Sequence, residues 1–485
     1  MKTPRQTVEW TDRLLIGGEA TSGNGPIREV YDPATEEVLF AVADPDAAQC
    51  DLAIEAAKAA FQSGTWADKE LRSKLLAALA DEMEARRADL TASVVYEVGT
   101  PIATAEVLQV SNAIRVLRRY ASLAGSDLTA TLPAEDGAVR GHSTVSYRPA
   151  GVVAAITAYN YPMFLAATKI GAALAAGCTV VLLASPQAPL STLLIGEIAT
   201  KVGFPPGVLN VIVGGPEVGR RVTENPAVAV VSFTGSVAVG KAVMQQASHH
   251  VANVVLELGG KSPAIVLPGA DLKAIVKPLH QRYARNAGQG CASPTRLLIP
   301  AQDFDEFLDL SSLAYEEITV GDPWDRATIV GPLISDAHRA RVEGYIQSAL
   351  DDGGFIAAGG GRPDIERGWF VNPALIAGLP STSRVCREEI FGPVAVALSY
   401  SDLDEAVSIS NDSDLGLHAM IFGDHDIAVD LAPRLTVGQV SINGGGSGFR
   451  SDAPMGGFKQ SGIGRESGTW GLMEFLEPQH VHWPL

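Results

Sequence analysis

The run NAGQGCASP, Asn286 to Pro294, sets a single thiol, Cys291, among small residues. Near neutral pH an unperturbed thiol is only a few per cent thiolate, so a nucleophilic Cys291 needs a positive field or a nearby base. Glu257, in LELGGKSP, stands 34 positions upstream. The two glycines after it let the backbone turn tightly and bring another segment close. Asn160, in ITAYNYPMF, is an amide among apolar and aromatic neighbours, of the kind that donates to an oxyanion. Each residue has a plainer reading. A free cysteine is more often a small core residue, a carboxylate ending a strand is usually solvated, and an asparagine before Pro162 suits a turn. Taken together, a thiol, a carboxylate and an amide suggest covalent thiol catalysis with a hydrolytic step.

These residues need elements to hold them. From Gly151 to Leu258 the apolar runs VVAAIT, TVVLLA, VLNVIV, VAVVSF and NVVLEL alternate with glycine-punctuated helical stretches, the pattern of a doubly wound parallel sheet. Lys169 is the only charge between Gly151 and Gly196. Pro162, Gly171, Gly177, Pro186 and Pro189 cut this stretch into pieces shorter than the roughly 20 residues of a spanning helix. It reads as a buried strand–helix–strand unit: GVVAAIT, PMFLAATKIGAALAAG, TVVLLAS. In VVSFTGSVAVGK, Gly235 and Ser236 follow a strand and open a helix, whose free N–H groups suit a phosphate. The glycine spacing is not that of the usual dinucleotide fingerprint, so a plain strand–helix turn and a phosphate site both fit.

Upstream, LLIGGEA and IREVYDPATEEVLFAVA read as short strands, followed by a helix from Asp51 to Phe61 and helical spacing from Asp68 to Val98. The polar stretch after Leu128, TATLPAEDGAVRGHSTVSY, looks like an arm leaving the body of the fold. A second α/β pattern begins near Lys261 and contains a helical stretch from Asp336 to Leu350.

Length and composition bound the rest. The chain has 485 residues, 46% of them apolar and 19% charged, which implies more than one domain of ordinary globular character. A net charge of −18 disfavours nucleic-acid and anionic-membrane partners. The four cysteines, Cys50, Cys178, Cys291 and Cys386, have neither paired nor metal-type spacing, so no disulfide framework and no metal site is expected. The opening MKTPRQTVEWTDRLL carries no apolar run of signal-peptide length, and the expected location is cytoplasmic.

LELGGKSP, NAGQGCASP, ITAYNYP, FTGS, GPLISDAH, EEIFGPV and PMGGFKQSGIGRESG occur in the order seen in the aldehyde dehydrogenase superfamily, which the chain resembles over essentially its whole length. The resemblance implies an α/β fold with three parts. These are a Rossmann-like doubly wound cofactor domain (1–125 and 149–260), an α/β catalytic domain (261–470) and a small β oligomerisation arm (126–148 and 471–485). It implies NAD as cofactor, with NADP as the alternative, and a homodimer or homotetramer. The implied reaction is oxidation of an aldehyde to the acid: Cys291 attacks, Asn160 and the Cys291 N–H hold the oxyanion, and Glu257 activates water against the thioester. Relatives that transfer the acyl group to coenzyme A generally lack this glutamate.

The same resemblance places Glu389 on the nicotinamide ribose, Phe391 against the ring, and His338 near that half of the cofactor. Gly235 and Ser236 fall at the pyrophosphate, Gly215 and the Thr157–Tyr159 backbone line the adenosine side, and Ile156, Phe233, Thr234 and Leu258 are further cofactor-binding positions. The substrate tunnel falls to Tyr161, Met163, Phe164, Gly290, Ala292, Phe449 and Met455. Glycines 444–446 suggest a wide mouth for a bulky apolar or aromatic aldehyde, with Arg450 offering a contact for an acidic one instead.

Two positions depart from the family pattern. Leu183 and Pro186 stand where a lysine and a glutamate usually hold the adenine ribose. Hydrogen bonds to charged groups contribute about 1.5–3 kcal/mol each, so NAD binding is expected to be loosened but still favoured over NADP. Two rival readings use the same residues: a family member that has lost catalysis and serves as a binding or structural protein, and a thiol esterase without cofactor.

Overall fold

The computed structural model describes residues 8, 10–133, 141–444 and 449–484. Its first sheet has eight strands in the order Glu19–Thr21, Leu14–Ile16, Leu209–Val213, Thr179–Ala184, Val152–Ile156, Val228–Thr234, Asn253–Glu257, Gly462–Ile463. The strands from Leu209–Val213 to Asn253–Glu257 are parallel, and the flanking ones antiparallel. Their near-continuous apolar composition follows from burial on both faces. From Val152–Ile156 the chain winds outward in one direction through the next two strands. It then returns to place Val228–Thr234 on the other side of Val152–Ile156. Such a reversal leaves a crevice at the carboxyl ends of the strands, where ligands of doubly wound folds bind. Register aligns that rim, with Ile156 opposite Phe233 and Thr234 opposite Glu257.

The second sheet has seven strands: Phe355–Gly359, Ala374–Ala377, Val394–Tyr400, Pro294–Pro300, Ser262–Val266, His418–Phe422, Gln439–Ile442. All pair in parallel except the first two. Alternate residues fill two separate cores, Ala264 and Val266 on one face, Ile265 and Leu267 on the other. Ser262 pairs with Pro294, and the Val394 strand lies beside the Pro294 strand, so these strands begin at one level. The segments entering them carry Gly260, Cys291 and Glu389. The amino ends of this sheet thus meet the carboxyl rim of the first.

The buried strand–helix–strand unit read from the sequence appears as Val152–Ile156, Pro162–Ala176 and Thr179–Ala184. Pro162 occupies the first turn of that helix, and Gly177 ends it at φ +97°. The helical stretch from Asp68 to Val98 divides at Arg86 into Lys69–Ala85 and Arg87–Val98. No proline or glycine marks that break, so side-chain spacing could not reveal it. Late in the chain, Gly462–Ile463 returns to pair with the Glu257 strand, and Leu472 and Phe475 join the core of the first sheet.

The polar arm forms a three-stranded antiparallel sheet of Ala130–Leu132, His142–Pro149 and Leu476–Trp483. Part of it, residues 134–140, lies outside the described residues. Among the described residues no helix is long and apolar enough to cross a membrane.

Candidate active site

Cys291 lies on the approach to the Pro294 strand, and the turn that delivers it is strained. Asn286 and Ala287 adopt φ +55° and +54°, followed by Gly288 at +71°. Such values are uncommon outside glycine and persist only where the surroundings enforce them. A methyl group on Gly288 would come within 2.1 Å of the Gly392 backbone, so this turn packs directly on the EEIFGPV segment. Side chains lock the rest. Thr100 donates to Asn286 Oδ1 at 2.7 Å, Gln289 donates to the Asn286 carbonyl at 3.1 Å, and Gln289 Oε1 accepts from the Ile334 N–H at 3.0 Å.

Asn160 is buried and fixed to the same turn. Its Nδ2 donates to the Gln289 carbonyl at 3.0 Å, while its own carbonyl accepts from Gln109 at 3.1 Å and Asn286 at 3.2 Å. A primary amide has two N–H donors, so one remains for an oxyanion beside Cys291. Glu257 ends its strand buried, with Oε1 lacking any hydrogen-bond partner. Its backbone is pinned from both sides, the Glu257 carbonyl accepting from the Gly235 N–H at 3.0 Å and the Leu258 N–H donating to the Ser461 carbonyl at 2.9 Å.

The electrostatics of the site disfavour the charged forms of its thiol and carboxyls. Burial, then the charges of Glu257 and Glu389, push the Cys291 thiol up to about 12. Burial and the charge of Glu466 raise Glu257 well above the usual carboxylate range, against smaller opposing effects of Lys169 and Arg465. Glu389 is raised to about 7 by burial, opposed by the Gly260 N–H, Lys261 and Arg341. Its Oε1 accepts that N–H at 3.0 Å.

Behind Glu257 lies a pair that was not among the expected site residues. Lys169 Nζ sits 2.7 Å from Glu466 Oε1 and 3.1 Å from Ser232 Oγ, with both ionic side chains almost fully enclosed. The sequence did carry a signal, since Lys169 is the lone charge in an apolar stretch of more than forty residues.

Cys291, Asn160, Glu257 and Glu389 open onto one cavity of about 900 Å³ that runs from Cys291 to Gly215. It is lined by every expected site residue except Met163: Ile156, Thr157, Tyr159, Phe233, Thr234, Gly235, Ser236, Leu258, His338, Glu389 and Phe391, with Tyr161, Phe164, Phe449 and Met455 near the thiol. Met163 points into the core instead and is fully buried; the helix presents Phe164 and Leu165 to the cavity. Helical phase decides this, because adjacent residues on a helix face about 100° apart. Gly444 is described, but 445–448 are not, so two of the three glycines at the expected mouth lie outside the described residues. Arg450 does not line the cavity and pairs with Asp452 at 2.7 Å on the surface.

The residues fit a dinucleotide. A methyl group on Gly235 would strike the Phe233 ring at 2.4 Å, so glycine permits the sharp turn there. Ser236 then caps the helix Val237–Ser248 by accepting the Val239 N–H, leaving a helix N-terminus aimed at the cavity. Tyr159, His338 and Phe391 form an edge-on aromatic group with centroids 6.0–6.4 Å apart, and His338 Nε2 lies 2.7 Å from the Phe391 carbonyl. At the far end Leu183 is buried, with its carbonyl taking both N–H and Oγ1 of Thr157. Among the described residues the cavity's only carboxylates, Glu257 and Glu389, lie at the thiol end.

Comparison with known proteins agrees with this geometry. The model of the aldehyde dehydrogenase family matches residues 20–481. A geranial dehydrogenase from Castellaniella defragrans is 40% identical, with 97% of this chain and 98% of that protein covered. Among solved structures, a mutant aldehyde dehydrogenase C from Pseudomonas syringae, complexed with NAD+ and octanal, superposes with TM-score 0.93 at 35% identity, covering 98% of each chain. A betaine aldehyde dehydrogenase from Staphylococcus aureus, in complex with NAD+, gives TM-score 0.93 at 34% identity, covering 98% of this chain and 94% of that one. Motif order, fold and site geometry therefore converge: the chain belongs to the aldehyde dehydrogenase family.

Proposed function

We propose that this aldehyde dehydrogenase oxidises an aldehyde with an extended apolar body to its carboxylic acid, with NAD in preference to NADP. Cys291 sulfur, once deprotonated, adds to the carbonyl carbon, and the oxyanion forms between the spare Asn160 N–H and the Cys291 backbone N–H. Bound NAD(P)+ supplies a hydride acceptor and a positively charged ring that counters the burial of the thiol. Loss of hydride from the former aldehyde carbon leaves a thioester on Cys291. Glu257, as carboxylate, takes a proton from water as that water attacks; the acid leaves and the thiol is regenerated. Glu389 and Phe391 would position the nicotinamide half, and the helix opened by Ser236 the pyrophosphate. The observation that carries this reading is that Cys291, Asn160 and Glu257 meet at one end of a cavity whose other end is the strand-switch crevice.

Tyr161, Phe164, Leu165 and Phe449 give the tunnel its apolar wall, with Phe164 and Phe449 edge-on at 4.8 Å. That wall, and the geranial and octanal in the names of relatives, support the apolar body. The exposed edge strand Leu476–Trp483 supports a homodimer or homotetramer in which arms pair across subunits. Unpaired cysteines and a charge of −18 support a cytoplasmic location.

The test follows reduced cofactor during turnover of octanal by the purified protein, Cys291→Ala and Glu257→Gln. Cys291→Ala should lose at least about 10⁴-fold. Glu257→Gln should release about one equivalent per thiol and then stall at the thioester. Full activity in Cys291→Ala would overturn the mechanism, and an inert wild type would restore the non-catalytic reading.

A further inference from the structure

Arg282 closes the helix Leu272–Ala284, and Arg285 follows where the backbone turns extended (φ −55°, ψ 141°). Both side chains reach the wall of the substrate cavity. Among the described residues neither guanidinium has an ion pair or a side-chain hydrogen bond. This is unusual for the chain, whose net charge is −18. Arg28 has Asp44, Arg221 has Asp51, Arg387 has Asp412 and Arg450 has Asp452. Around Arg282, burial and then the charge of Arg285 both disfavour the cation and hold it down at about 10, and the only group that opposes them is the Tyr161 phenol. Two neighbouring, partly enclosed cations without a counterion are unfavourable by themselves. They become favourable when an anion arrives, and guanidinium groups match a carboxylate in two-point geometry.

Tyr161 ties this pair to the reaction centre. Its ring senses Arg285, Cys291 and Arg282 together, and its hydroxyl lies 3.8 Å from where a methyl group on Gly290 would stand. The aldehyde tunnel therefore has a nucleophile at one point, an aromatic wall beside it, and two uncompensated cations.

We propose that Arg282 and Arg285 form an anion-recognition site in the aldehyde tunnel, so that favoured substrates carry a carboxylate at the end remote from the aldehyde. This rests on the aldehyde-oxidising reading above. It narrows the apolar substrate to one with an apolar middle and a charged tail, and it moves the acidic contact from Arg450, which is already paired, to the tunnel itself.

Matched substrates test it: 4-formylbenzoate against its methyl ester, and 8-oxooctanoate against octanal, with the purified full-length protein. The wild type should show kcat/KM about 10-fold or more higher for each acid, the range expected of a charge-assisted contact. Arg282→Met and Arg285→Met should each lower that acid-to-neutral ratio about 10-fold, with Arg285→Lys retaining part of it. Added salt should lower the wild-type ratio too, because the contact is ionic. An acid no better than its neutral partner in the wild type overturns the proposal even if the variants fail to fold. A ratio unmoved by both substitutions in folded protein, checked by thermal melting, also overturns it. Turnover of none of the four aldehydes defeats the dehydrogenase reading instead.

Discussion

The two ends of the cavity are built on different principles. At the thiol end, side chains do the chemistry, and each is over-determined. Asn160 makes contacts through its side chain and its carbonyl, the Cys291 turn is held by Asn286 and Gln289, and Glu257 is backed by a buried ion pair. At the adenosine end the walls are mostly backbone and apolar carbon, Leu183, Ala184, Pro186, Gly214 and Gly215, with Ser185, Gln187 and Arg220 beside them and no carboxylate among the described residues. Placing charge where water is excluded needs exact support, because an unpaired buried ion is strongly unfavourable. Gripping a sugar at a half-open rim does not, so that end tolerates the loss of its charged residues. Substitutions should therefore have large effects at the first end and small ones at the second.

The largest effect on stability is expected at Lys169. Lys169→Met leaves Glu466 buried without its partner, and breaking such a pair costs about 3–5 kcal/mol of folding stability. Urea denaturation measures it, and the double variant with Glu466→Leu should recover much of the loss, because matched apolar replacement is often neutral. The pH profile adds a readout that packing alone would not move. Lys169 is one of the charges that lowers Glu257 toward ionisation. Without it, the carboxyl rises further and general-base deacylation should begin at higher pH. An unchanged profile together with unchanged stability would mean that this end is not built on enclosed charge.

Next is Asn160→Ala, which removes an oxyanion donor and should lower kcat by about 10²–10³-fold. Single-turnover measurement should place the loss in formation of the thioester rather than its hydrolysis. A change in KM alone would instead assign Asn160 to substrate binding. Comparison with Gln109→Ala, which removes the side-chain donor to the Asn160 carbonyl and leaves the Asn160 amide in place, separates donor from scaffold.

Much of this arrangement was legible in the sequence, and the misses have physical causes. Continuous apolar strands and the turns between them announced the first sheet, and motif order announced the thiol, the carboxylate and the amide. Met163 was misplaced because a motif places a segment at the cavity, while helical phase selects which residue faces it. The break at Arg86 carries no local signal. Lys169 was visible as a lone charge, but its partner Glu466 is almost 300 positions away, a pairing only the fold creates. Arg285 immediately precedes the thiol motif and Arg282 stands three residues before Arg285, yet their lack of counterions among the described residues is a property of three-dimensional packing.

The smallest effects belong to the adenosine end, where cofactor choice is set. The wild type should prefer NAD with a narrow margin, because among the described residues no carboxylate lines that end to reject a 2′-phosphate. Arg220 also reaches the cavity there. It follows Gly219, on which a methyl group would lie 3.7 Å from the Leu183 side chain. Pro186→Glu should widen the NAD preference about 10-fold, by accepting the ribose 2′-hydroxyl and repelling a phosphate in its place. Arg220→Ala should weaken NADP more than NAD, by a smaller factor, since an exposed charge is well screened. Titration of the protein with 5′-AMP and 2′,5′-ADP reads the same contrast without turnover. A wild type that clearly prefers NADP would break the expectation and make Arg220 the dominant contact. A Pro186→Glu variant with unchanged selectivity would show that the ribose is held by backbone alone.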